Sequence, residues 1–341
     1  IVRLVFAKAT RALLSAGSLD GRRVVTIGEP AELLGLNAGF LLRYCGLQEV
    51  FRVPVATNRE RRPGEVLADL DGALAAAREH GAEEFLLALR WDGRELLETI
   101  RCRLRESPLP VRLMPDHNLR TLLERSRLAT DGLSVPVTIQ RAPLTAFERA
   151  VKRTLDVVIS MTAILFLSPL FLIAAIAVKL DSGGPIIFQQ RRTGFNGKEF
   201  VIFKFRTMTV LEDGPAVTQA CRGDLRATHV GKFLRRSSID ELPQLINVLK
   251  GEMSLVGPRP HAVAHDREYK VHIADYGFRH HIKPGMTGWA QVNGLRGETR
   301  SLAKMTERVR LDRWYINNWS LGFDIYILAR TCFEVLRDRA Y

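Results

Sequence analysis

One apolar run dominates the hydropathy pattern of this chain: residues 157–178, twenty-two positions without a charged side chain. Lys152 and Arg153 precede it, Lys179 follows it, and Ser168-Pro169 stands near its middle. A helix of about 20 apolar residues can cross the roughly 30 Å hydrocarbon layer. Lys and Arg prefer the cytoplasmic side, and basic residues at both ends mark neither end as the far side. Pro169 lacks a backbone N–H and clashes with the carbonyl four residues back, while the Ser168 hydroxyl can satisfy groups that such a break releases. The pattern predicts a re-entrant membrane helix over 153–180 that dips into one leaflet, breaks at Ser168 and Pro169, and returns. A proline-kinked spanning helix is the alternative, and a buried core helix would rarely stay uncharged for so long.

Upstream, shorter periods alternate. Residues 22–27 read as a strand ending at Gly28, 30–45 as a helix, 50–55 as a strand, 67–80 as a helix, 84–89 as a strand, 95–105 as a helix and 111–114 as a last strand. That order predicts an α/β domain over 19–118, a small parallel sheet with crossover helices. Gly28-Glu29-Pro30 stands where a dinucleotide fold would carry Gly-x-Gly-x-x-Gly, but the later glycines are missing. The expectation is a degenerate Rossmann-like domain used for assembly, as in a homodimer, or for regulation. Residues 119–145 read as a connector. Residues 1–18 read as the end of an upstream membrane or linker helix, with no signal-peptide pattern.

Charge changes the picture for the second half. The net charge is +13, and residues 141–341 carry most of it while 1–140 are close to neutral. A basic surface suits anionic headgroups and phosphorylated substrates. Nucleic acid is not expected, because no zinc-finger spacing, RNP-type aromatic motif or basic heptad pattern is present. Cys45, Cys102, Cys221 and Cys332 lack Cys-x-x-Cys spacing, so neither a zinc site nor a disulfide frame is indicated.

Candidate chemistry begins after residue 180. Residues 186–190 and 200–205 read as strands around the turn 194–197, and Lys204 and Arg206 would share one face if the strand runs that far. Two cations there suit a diphosphate, or simply edge a sheet in solvent. Downstream, Ser238 and Glu241 have capping-box spacing, yet Pro243 belongs at a helix start and so favours Asp240 as the N-cap. At a positive helix end Asp240 would be ionised, ready as nucleophile or metal ligand. Adjacent Asp240 and Glu241, with Arg235 upstream, supply what phosphoryl transfer needs: an oxygen nucleophile, a Mg²⁺ ligand and a cation. Arg259 lies between Pro258 and Pro260 on a rigid turn, preset for a bidentate grip on phosphate. The loop 283–294 is glycine-rich and carries Trp289, plausible for sugar-nucleotide contacts. His280 and His281 read as surface or loop residues, since no third ligand is spaced to join them.

Phe203-Lys204-Phe205-Arg206-Thr207-Met208, Asp240-Glu241-Leu242-Pro243-Gln244, Val256-Gly257-Pro258-Arg259-Pro260 and Pro284-Gly285-Met286-Thr287-Gly288-Trp289-Ala290-Gln291 follow the broken apolar segment in that order. Together they resemble the bacterial sugar transferases, the monotopic phosphoglycosyl transferases, over 146–341. The N-terminal half resembles the Rossmann-like domain of the family's longer members. The resemblance implies an α+β membrane-associated catalytic domain that moves a sugar 1-phosphate from a UDP-sugar to undecaprenyl phosphate and releases UMP. It implies Asp240 as the nucleophile of a phosphosugar-enzyme intermediate, and Glu241 assisting through Mg²⁺, held by Asp240 and Glu241, or as a proton acceptor. Lys204, Arg206, Arg235 and Arg259 would hold phosphates, Arg206 the weaker candidate. It further implies the bacterial inner membrane with the site on its cytoplasmic face. Glucose is the expected sugar, with galactose or an N-acetylated sugar open, and a non-catalytic membrane scaffold is the competing class.

Near the C-terminus, Trp314, Tyr315, Trp319, Phe323 and Tyr326 concentrate aromatics, as an interfacial helix or an aromatic core would. Asp312 and Asp324 match acidic positions of the family pattern without an evident role.

Overall fold

The computed structural model describes residues 20–55, 63–91, 94–120, 136–209, 224–273, 275–295, 297 and 301–336. The helix expected over 1–18 and Cys221 lie outside the described residues. Two compact units divide the chain, Ile1–Ala142 and Pro143–Tyr341.

In the N-terminal unit, β1 (Arg22–Gly28), β2 (Leu47–Pro54), β3 (Glu84–Ala88), β4 (Val111–Leu113) and β5 (Val137–Gln140) form one sheet in the order β2-β1-β3-β4-β5. The first four run parallel and β5 is antiparallel. Strands covered on both faces read as continuous apolar runs, and β1 and β3 do. Val25, Ile27, Phe85 and Leu87 face one cluster with Leu70 and Ile100; Val24 and Leu86 face the other with Leu33 and Leu36. The crossover helices are α1 (Pro30–Leu34), α2 (Pro63–Glu79) and α3 (Arg94–Leu104).

One expectation for this unit needs correction. The helix read over 30–45 is interrupted: α1 stops at Gly35, Asn37 caps a short turn at Ala38–Phe40, and a wider turn at Leu41–Cys45 closes on Gly46 with φ 65°. Gly and Asn favour such boundaries over helix interiors. The end of the connector read over 119–145 contributes the edge strand β5.

The C-terminal unit begins with α4 (Ala146–Asp181), 36 residues opened by a capping box between Thr145 and Glu148. A hairpin follows, β6 (Ile187–Thr193) and β7 (Glu199–Phe205). Then come α5 (His229–Arg236), a 3₁₀ turn at Ile239–Glu241, α6 (Gln244–Lys250), and β8 (Ser254–Val256), which pairs in parallel with β9 (Gly285–Thr287). Between β8 and β9 lie α7 (Val263–His272) and a 3₁₀ segment at Tyr276–His281; α8 (Trp289–Val292), α9 (Leu302–Asn317) and α10 (Leu321–Leu336) complete the unit. Val248, Met253, Val256, Tyr315 and Ile327 are central to its core.

Along α4 most of the apolar surface is uncovered: Leu165 and Phe166 are about four-fifths exposed, and Met161, Leu172 and Ile173 more than half. This excludes a core helix. Both ends of α4 nevertheless rest on the unit. At the start, Arg153 donates to the Val248 and Leu249 carbonyls, and Asp156 accepts from Ser254 Oγ and Leu255 N. At the end, Ala174 and Val178 pack with Phe205 and Leu234. Inside, the Ser168 hydroxyl donates to the Leu165 carbonyl at 2.9 Å, the acceptor that Pro169 leaves without its N–H.

Lys152 does not face headgroups as a basic flank would. It is buried, donating to Asp324 Oδ2 at 2.5 Å, the Val256 carbonyl at 2.9 Å and Tyr315 Oη at 3.3 Å. Asp324 also accepts from Tyr315 and from Trp319 Nε1. This gives Asp324 its role: it compensates a buried cation at the base of α4.

Candidate active site

The path into the site is a sharp turn. After α5 the chain passes Ser238 at φ 60°, enters the 3₁₀ turn carrying Asp240 and Glu241, and reaches α6 with Pro243 as its N-cap residue. Asp240 is therefore not the N-cap, and the Ser238 side chain caps nothing. The proline is tolerated because it falls where a helix start has no bond to lose.

Glu241 is held by two cations. Lys204 Nζ donates to Oε1 at 2.8 Å, and the Arg259 guanidinium spans both oxygens, with Nη1 at 3.2 Å from Oε2 and Nη2 on Oε1. Lys204 faces Glu241 because α6 is stapled to β7. The fully buried Asn247 accepts from Phe203 N at 3.0 Å and donates to the Val201 carbonyl at 2.7 Å.

Asp240 differs. It is buried, and among the described residues its carboxylate has no hydrogen bond and no ion pair. Burial first, and the Glu241 charge second, push it up to about 6, against Lys204, Arg235 and Arg259, which favour the charge. For Glu241 burial also opposes ionisation, but Arg259 and Lys204 outweigh it and hold the carboxyl well below the usual range. Glu241 is the firmly charged member, and burial holds Asp240 up to about 6, against the helix-end expectation of an easily ionised aspartate.

Lys204, Arg235, Arg259, Asp240 and Glu241 come together; Arg206 does not. β7 ends at Phe205, and the buried Arg206 turns away, donating to the carbonyls of Val178, Ser182 and Gly183 at the end of α4. It works as a helix C-terminal clamp. Gly184 makes room for it, with φ 121° and a would-be Cβ 2.0 Å from Arg206 Nη1.

Gly285 and Gly288 of the 283–294 loop serve close backbone packing. A Cβ at Gly285 would stand 2.1 Å from Gly257 N, and one at Gly288 2.2 Å from the Gly257 carbonyl. His280 and His281 are not surface residues: His280 meets Asp266 at 3.2 Å and His281 is buried. Trp289, Trp314, Phe323 and Tyr326 share one aromatic group, Trp289 and Phe323 with centroids 5.0 Å apart, while Trp314 and Tyr326 stay about half exposed.

Among the described residues no three His, Cys, Asp or Glu side chains gather as a metal cage. The donor set fits Mg²⁺ in another way. That ion is commonly held by one or two carboxylates plus substrate phosphates. Asp240 offers an unengaged carboxylate, and Glu241 keeps acceptor capacity on Oε2 beyond the single Arg259 bond.

The model of the bacterial sugar transferase family matches residues 147–338, over half of the chain. The chain belongs to that family. Relatives of the bacterial sugar transferase type include a UDP-glucose:undecaprenyl-phosphate glucose-1-phosphate transferase of Escherichia coli, 42% identical over 84% of this chain and 62% of that protein. Proteins of the same name in Xanthomonas campestris and Caulobacter vibrioides are 40% identical over 96% of this chain and 69% of theirs, and 53% identical over 56% and 72%. The chain thus spans about three-fifths of the E. coli relative.

Sequence reasoning missed Asn247, Asp156 and the pairing of Lys152 with Asp324. An asparagine inside the apolar face of a short helix was the available signal, since a buried amide must bond to something.

Proposed function

We propose that this bacterial sugar transferase moves glucose 1-phosphate from UDP-glucose to undecaprenyl phosphate, with release of UMP, on the cytoplasmic face of the inner membrane. The observation that carries the reading is Asp240: a buried carboxylate without a bonding partner among the described residues, beside a Glu241 fixed by Lys204 and Arg259. Such a group is costly to keep for stability and suited to attack.

Ionised Asp240 attacks the sugar-linked phosphorus; the new O–P bond replaces the bond to the bridging oxygen, and UMP leaves with that electron pair. Lys204, Arg235 and Arg259 bind the phosphate oxygens and stabilise charge gathering on them. A phosphate oxygen of the lipid then attacks the same phosphorus and the Asp240 carboxylate departs, regenerating the enzyme. Splitting the transfer lets a soluble nucleotide and a lipid use one anion site in turn. Asp240 and Glu241 would hold Mg²⁺, which when bound neutralises phosphate charge. Lys204 and Arg259 release Glu241 in part when substrate phosphate arrives.

The α4 segment enters one leaflet and returns. What supports this is that both its ends rest on the same unit, with an apolar exposed middle and with Pro169 inside the helix, where the Ser168 hydroxyl answers the Leu165 carbonyl. Cysteines placed just before Lys152 and just after Lys179 should both react with reagent from the cytoplasmic side; labelling from opposite sides would refute re-entry.

The decisive assay is UMP release from a panel of UDP-sugars with undecaprenyl phosphate and Mg²⁺, using the membrane-embedded protein. UDP-glucose should turn over fastest. An Aeromonas hydrophila relative named as an N-acetylgalactosamine phosphotransferase is 40% identical over 57% of this chain, so faster turnover of an N-acetylated donor would replace glucose in this reading. No UMP from any donor would refute the transferase reading and favour a scaffold.

A further inference from the structure

We propose that Arg279 and Asp312 act as a positioning pair that fixes the direction of Arg259, and through it the grip on the transferred phosphate. The proposal rests on the phosphate role given to Arg259 above.

The turn that carries Arg259 has its three successive carbonyls bound one by one. The Pro258 carbonyl accepts from Gly285 N at 2.9 Å, the Pro260 carbonyl from Arg192 Nη1 at 3.2 Å, and the Arg259 carbonyl from Arg279 Nη2 at 2.8 Å. Pro258 and Pro260 fix their own φ angles. The freedom that remains is chiefly rotation of the peptide plane following Arg259, and the bond from Arg279 restrains that rotation. Arg279 is itself tied to a carboxylate: the same Nη2 meets Asp312 Oδ2 on α9 at 2.9 Å.

The pair is deeply placed, Arg279 3% and Asp312 2% exposed. Arg279 Nη1 turns to Tyr276 Oη at 3.1 Å and to His261 Nδ1. His261 stays neutral, because burial and the Arg279 and Arg308 guanidiniums oppose another charge there. A neutral ring can accept from Arg279, so the guanidinium is held from two sides in addition to its carboxylate. A buried ion pair is a weak means of stabilising a core, where an apolar pair of equal volume often does as well. Its use is geometric: a planar fork with assigned partners transmits orientation as a lysine point charge does not.

The test is a double-variant cycle on the full chain in membranes, with UDP-glucose as donor, scoring kcat and KM separately. Arg279→Lys should lower kcat on the order of 100-fold, as small misplacements of catalytic groups do. Asp312→Asn, which keeps an acceptor, should lose less than Asp312→Ala. Asp312→Asn is nearly isosteric, so it carries the test if Arg279→Lys does not fold. With Arg259→Lys already present, Arg279→Lys or Asp312→Asn should cost less than about twofold more, since residues acting through one group are not additive. Losses that multiply in the double variants would overturn the positioning role while leaving Arg259 in place. An Arg259→Lys protein with unchanged kcat would instead overturn the phosphate role of Arg259, and the positioning role with it.

Discussion

Glu32 in the N-terminal unit and Asp240 in the C-terminal unit are both buried carboxyls near arginines, and they are treated in opposite ways. Glu32 accepts from Arg120 Nη2 at 2.8 Å and from His117 N at 3.0 Å; its neighbour Glu29 accepts from Arg90 at 2.9 Å. Asp240 lies in the field of Lys204, Arg235 and Arg259, yet among the described residues none of them bonds to its oxygens. Matched pairs of the first kind hold a sheet end together. An unmatched acid of the second kind costs stability and is kept where chemistry needs a bare oxygen. The first unit also has its strand end closed: a Cβ at Gly28 would lie 2.2 Å from the Ala88 carbonyl, so that glycine serves strand packing.

The sharpest break of the comparison is in rate. Asp240→Asn should lower UMP release by at least about 10³-fold, as loss of a nucleophile does, and Glu32→Gln should leave turnover per folded molecule unchanged. In stability the order reverses. Removing one partner of the buried pair, as in Arg120→Ala, should cost about 3–5 kcal/mol by leaving Glu32 uncompensated. Chemical denaturation of the full chain in detergent, read alongside activity, measures both. A proton-blind result, with Arg120→Ala neutral and Asp240→Asn strongly destabilising, would remove the distinction.

Asp240→Asn should in fact stabilise the protein, and the pH dependence carries the sign. The unfolded aspartate ionises near 3.9, whereas the folded one ionises at about 6. Between these values the native state binds more protons, so its stability is greatest below about pH 4 and declines as pH rises to about 6. The asparagine variant escapes that decline, gaining up to about 3 kcal/mol at pH 7.5 and only about 0.5 kcal/mol at pH 4. Thermal midpoints at the two pH values decide it. The same proton governs rate: kcat/KM for the donor should climb about tenfold per pH unit up to about 6 and level off above.

How much of this was legible follows from the range of each interaction. The N-terminal sheet was readable because its strands are continuous apolar runs and its helices have their own period, both local signals. The Asp240-Glu241 pair, Lys204 and Arg259 were singled out by local chemistry and by ordered motifs. The state of Asp240 was not, since it depends on Lys204, thirty-six residues upstream, bonding Glu241 instead. Arg206 was misread for a similar reason: two cations on a strand look alike until one is seen to clamp the end of α4. Lys152 and Asp324, 172 positions apart, form a pair no spacing rule could propose.

The smallest expected effect returns to α4, where a polar group again stands in apolar surroundings but is fully answered. Ser168→Ala removes the hydroxyl that serves the Leu165 carbonyl and should cost about 0.5–1 kcal/mol, typical of one hydrogen bond in such a setting. The explanation is specific enough to be tested against itself. In a Pro169→Ala background the new N–H of residue 169 can bond the Leu165 carbonyl in the ordinary i to i−4 manner, and the serine hydroxyl becomes redundant. Ser168→Ala should then be neutral in thermal unfolding in lipid nanodiscs. An equal cost in both backgrounds would mean that Ser168 matters for packing or for the lipid surface, and that Pro169 is tolerated inside the helix for some other reason.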